Sequence, residues 1–146
     1  MRVTFPRLPD RERAWALVER DDGVVFRFYG GDTAGPRLPH DIMHLVVERE
    51  LRIKDGIWAG IAAGGVSREH GLRAELLTDV VSSAAALDTL TQDKIRRLAE
   101  DKLSALPEAD VDPVVIAAAA RALQVEAARW ARLRVGEGLT YDWPGR

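Results

Sequence analysis

Two histidines four residues apart, His40 and His44, with Asp41 between them and Glu48 one turn further on, are the residues of this chain best suited to chemistry. They lie in the stretch PHDIMHLVVEREL, residues 39–51. On a helix, positions spaced by four share a face, so the two imidazoles would lean from adjacent turns toward one point. A metal ion is what such a pair can hold. The acidic residue between them would then take a proton from metal-bound water, which attacks a carbonyl or phosphoryl group. On this reading Asp41 is the candidate catalytic base and His40, His44 and Glu48 are candidate ligands. His70, the remaining histidine, is a fourth. Zinc is the candidate ion.

The pattern His-Asp-x-x-His has the spacing of the zinc-peptidase helix motif, but aspartate is one methylene shorter than the glutamate usual there. Pro39 also places His40 in the opening turn of the helix. Three ligands spaced by four cannot all close on one ion, because His40 and Glu48 would stand about 12 Å apart along the axis. A third ligand would have to come from elsewhere, such as His70 or the 30–38 loop. A purely structural use of the same residues stands beside the chemical one. His40 and Asp41 would satisfy free backbone N–H groups of the first turn, with Asp41 favoured by the helix dipole. His44 would be half-buried against a carboxylate or carbonyl, and Glu48 would pair with Arg52 on the surface.

The elements that must position this helix can be read around it. Residues 2–5 form a short strand ended by Pro6 and Pro9. From Arg13 to Tyr29 two β-favouring runs flank a turn of Asp21, Asp22 and Gly23, which predicts a hairpin. A hairpin alone is marginal, so helices must pack on it. GGDTAGPRL, before Pro39, is a loop, and Pro39 suits the first turn of a helix. The glycine-rich run GIWAGIAAGG, residues 56–65, reads as a short helical turn between glycine breaks. It matches neither phosphate-loop pattern. Ser67 would cap a third helix carrying Leu72, Leu76, Val80 and Leu87 on its packed side. A fourth follows from about Thr91, with Ile95, Leu98, Ala99, Leu103 and Leu106 inward. Asp112–Pro113 starts a final helix that Gly136 and Gly138 stop, leaving a tail with Tyr141 and Trp143. The expected fold class is α+β: one domain over residues 1–146, with an N-terminal β-hairpin or small antiparallel sheet packed on four to five helices.

Composition narrows the function classes. The chain has 146 residues and no cysteine, which removes disulfides, thiolate zinc sites and cysteine nucleophiles and fits a reducing, cytoplasmic setting. Its opening residues lack the apolar core of a signal peptide, and VVIAAAA is too short to span a bilayer. A formal charge of −2, evenly spread, argues against nucleic acid and against a membrane surface as partners. Arg27 and Tyr29 on the hairpin are the weak exception. Ser67 with His70 and Glu69 or Asp79 could be drawn as a triad, but GxSxG is absent.

The run from Leu38 to Trp58, together with ERDDGVV, resembles a group of bacterial proteins sharing PHD-x-x-H-x-x-x-E and a Gly-x-Trp/Phe-x-Gly stretch. The resemblance covers about the first half of the chain, takes in His40, Asp41, His44 and Glu48, and implies a compact cytoplasmic bacterial protein. It carries no activity with it. With no complete catalytic set, the residues favour a non-enzymatic binding or interaction domain. Its partner would be a second copy or another protein, met through the aromatic tail or the 56–65 segment. The alternative is a metal-dependent hydrolase built on the degenerate HDxxH helix. A third reading is small-molecule binding between the hairpin and that helix.

Overall fold

The computed structural model describes residues 1–65, 71–104 and 111–144. It is an α+β protein in which a four-stranded antiparallel sheet accompanies five helices. The strands are β1 (Arg2–Pro6), β2 (Ala16–Glu19), β3 (Val25–Phe28) and β4 (Gly138–Asp142). The helices are α1 (His40–Glu50), α2 (Ile57–Ala62), α3 (Leu72–Ala85), α4 (Gln92–Leu103) and α5 (Pro113–Ala131). The chain groups into two compact units, one of Met1–Ile42 with Glu126–Arg146, the other Met43–Val125.

The first unit holds the sheet, in the order β3-β2-β1-β4. The expected hairpin is β2–β3, with Ala16 opposite Phe28 and Glu19 opposite Val25. Gly23 makes its turn at φ +84°, a left-handed value that suits glycine. Val3, Phe5, Ala16, Val18 and Phe28 point inward and are buried. The tail supplies what the sequence reading left unassigned, because Gly138–Asp142 is a full strand. It pairs with β1 from Arg2–Asp142 to Pro6–Gly138. Its alternation buries Leu139 and Tyr141, and the Phe5 and Tyr141 rings meet edge to face with centroids 5.9 Å apart. Tyr141 is therefore core rather than an exposed aromatic surface. The arginines of the hairpin are used internally. The Arg13 guanidinium lies over the Tyr29 ring and that of Arg27 over Trp15, at 4.6 and 4.5 Å from the ring centres.

In the second unit, Thr91 caps α4 by accepting from the Lys94 N–H. Asp112 caps α5, accepting from Val114 at 2.8 Å, one residue before Pro113. Ile95, Ala99 and Leu103 form the buried stripe of α4, as expected. Leu106 and Ser67 lie outside the described residues. The third helix is rotated from its expected setting. Its buried residues are Ala74, Leu77, Thr78, Val80, Val81 and Ala84, while Leu72 is 62% exposed. Ala74, Thr78 and Ala84 share the packed side with Leu77, Val80 and Val81, and such small or polar residues carry little apolar signal of burial. No helix among the described residues is long and apolar enough to cross a membrane.

In the first unit a buried carboxylate ties the tail strand to α5. Glu126 accepts from the Tyr141 hydroxyl at 2.7 Å and from Arg129 at 2.9 and 3.0 Å. Removing the hydroxyl leaves Glu126 short of a donor in a dry setting. Tyr141→Phe is expected to lower stability by about 1.5–3 kcal/mol, read as a lower urea midpoint with an unchanged slope.

Candidate metal centre

The histidine helix forms where the sequence places it, starting one residue after Pro39. Its first N–H, that of His40, donates to Oδ2 of Asp32 at 2.8 Å, so the glycine-rich loop supplies the cap from eight residues upstream. The chain passes from the first unit to the second inside α1, after Ile42. Since α1 is continuous across that point, the helical rise alone sets His40 one turn before His44. Ile42, Leu45, Val46 and Val47 are fully buried, and so are His44 and Glu48. The helix is covered nearly all round, as its apolar residues imply.

His44 lies in a polar pocket of the second unit. Its Nδ1 is 3.4 Å from Oγ1 of Thr78 and 3.8 Å from Oε1 of Glu48. On the opposite side of the ring, Nε2 is 3.5 Å from Oε2 of Glu75, whose side chain is 43% exposed. Ligand atoms of His40, His44 and Glu75 all lie within 4.8 Å of one another. Of these, His40 is exposed, His44 buried and Glu75 half-buried. Two imidazoles and a carboxylate are a donor set suited to zinc or another divalent transition ion.

Asp41 and Glu48 are not among those three residues. The carboxylate of Asp41 packs against the backbone at Gly30, where an added Cβ would collide with it. Glu48 is neither a surface partner for Arg52 nor a member of the His40–His44–Glu75 group. Both its oxygens accept backbone N–H donors from the start of α2: Ile57 at 2.9 Å, Trp58 at 2.9 Å and Ala59 at 3.3 Å. His70, and with it the Ser67 triad, lies outside the described residues. Helix α2 is the helical turn expected within residues 56–65. Trp58 and Ile61 are its buried anchors, so this segment presents no exposed aromatic face.

Sequence reasoning missed Glu75 and Thr78. A signal was available: once the packed stripe of α3 is drawn through Ala74, Leu77, Thr78 and Val81, Glu75 falls three residues before Thr78, on the flank of that stripe. Comparison with protein families, with curated proteins and with solved structures found no match to this chain.

Gly56 precedes α2 and offers it no side-chain cap, and the Glu48 carboxylate occupies the space a Cβ would take. Gly56→Ala must therefore displace a buried carboxyl group from its three donors. The expected loss is about 1–3 kcal/mol, measured by urea unfolding, with the near-ultraviolet signal of the buried Trp58 changed as well.

Proposed function

We propose that this protein is a metal-binding domain that holds one divalent transition ion, zinc in the first instance, through His40, His44 and Glu75. The observation that carries the reading is the convergence of three donor atoms of suitable type. Bonds of about 2.0–2.2 Å arranged tetrahedrally put neighbouring ligand atoms about 3.4 Å apart. The separation of His44 Nε2 and Glu75 Oε2 is 3.5 Å. His40 completes the set from one turn earlier on the same helix. His40 is exposed, so an ion held by this group would be within reach of water or a small ligand. The absence of cysteine from the chain favours a reducing, cytoplasmic setting for this role.

Hydrolysis is the second reading, favoured by that access to water. Three protein ligands with water in the fourth position are the arrangement that lowers the pKa of bound water and supplies a nucleophile. The Asp41 carboxylate packs against Gly30 and is not one of the three grouped residues, so binding is the primary reading and hydrolysis the secondary one.

Protein purified without an affinity tag and equilibrated with zinc is expected to retain about one equivalent by elemental analysis. His40→Ala, at an exposed position, and Glu75→Ala should each reduce this to less than about a tenth of an equivalent, with the helical circular dichroism preserved. Zinc content below that level in the wild-type chain would refute the proposal.

A further inference from the structure

Glu48 touches two things at once, and they belong to different parts of the second unit. One is the start of α2, whose first three N–H groups it accepts. The other is His44, whose Nδ1 lies 3.8 Å from Oε1 of the same carboxylate and 3.4 Å from the Thr78 hydroxyl. The two ring nitrogens therefore have different surroundings. A carboxylate and a hydroxyl beside Nδ1 favour the tautomer that carries its proton there. The lone pair of Nε2 is then left for the side where Glu75 stands.

We propose that Glu48 is the positioning residue of His44, and that through Glu48 the occupancy of the ion site is linked to the order of α2. This rests on the metal-binding reading above. An ion held at Nε2 would polarise the ring and make an Nδ1 proton a stronger donor to the Glu48 carboxylate, and so would hold that carboxylate more firmly in place. That carboxylate is bonded to Ile57, Trp58 and Ala59, so the change reaches α2 without any new contact. The linkage is reciprocal: whatever loosens the start of α2 weakens the ion site by the same factor. A Glu48 that served only as a cap would hold α2 equally well with the site empty or filled.

The test uses the isotopically labelled full chain, with and without zinc chloride. In the zinc form, long-range proton–nitrogen spectra should show His44 metallated at Nε2 and protonated at Nδ1. Amide exchange at Ile57, Trp58 and Ala59 should slow by at least about fivefold on adding zinc, beyond any change at Ile95 and Ala99 of α4. The α4 amides serve as the control for general stabilisation by a bound ligand. Glu48→Gln should weaken zinc binding by about 10–100-fold although no ligand is altered. If zinc binds but the α2 amides follow the α4 controls, or the variant binds with wild-type affinity, the linkage is overturned and the metal-binding reading stands. If the wild-type chain takes up no zinc, both fall together. Should Glu48→Gln fail to fold, the wild-type exchange comparison decides the matter alone.

Discussion

A carboxylate with no exposure to solvent is costly to bury unless donors meet it, and Glu48 is met by three backbone N–H groups. Those donors belong to a helix of only six residues, too short to persist by itself and begun by a glycine with no capping side chain. Each solves the problem of the other. The carboxylate gives α2 the acceptors its first turn lacks, and α2 gives the buried carboxylate its hydrogen-bond donors. The absence of a side chain at Gly56 lets the two meet. A further hydrogen bond, from the Ile53 N–H to the Glu48 carbonyl at 2.9 Å, folds the chain back at the same residue. The side chains that form the floor of the His44 pocket are thus held by a contact between main chain and side chain, which fixes both distance and direction.

The histidine helix is anchored at its other end by a second carboxylate. Asp32 accepts the His40 N–H, and the loop that carries Asp32 is itself pinned. Ala14 donates to the Asp32 carbonyl at 3.0 Å, and Ala34 and Glu12 are bonded at 2.6 Å. Trp130 donates from its indole to the carbonyl of Gly35 at 3.1 Å. His40 therefore stands in an opening turn whose first N–H is capped. Pro39 contributes by having no N–H to satisfy at the position where one would be left over.

How much of this was legible in the sequence depends on the range of the interaction. Periodicity within one segment was enough for the helix around His44, the hairpin about Gly23, the turn at residues 57–62 and the Asp112–Pro113 start. All of these are local. The strand Gly138–Asp142 was not legible, because its reason for being a strand is β1, at the other end of the chain, and the alternation of Leu139 and Tyr141 is too short to stand out. Glu48 was misread for a related reason. Four residues before Arg52 it has the spacing of a surface ion pair, and its true partners are main-chain groups that carry no residue type. Glu75 needed the rotation of α3, whose packed side runs through Ala74, Leu77, Thr78 and Val81 rather than through Leu72 and Leu76. The motif gave two of the three candidate ligands, and the third required the fold.

The proposed ion would also suit the acidic surroundings of Nε2. The carboxylates of Glu48 and Glu75 stand on opposite sides of one fully buried ring, at 3.8 and 3.5 Å. A divalent ion held there would place positive charge between two acidic side chains at the edge of a dry interior, where charge most needs a partner. Of the two carboxylates Glu75 is the one that solvent reaches, while Glu48 is fully buried against the start of α2. Donor types, spacing and this placement of carboxylates all support the metal-binding reading.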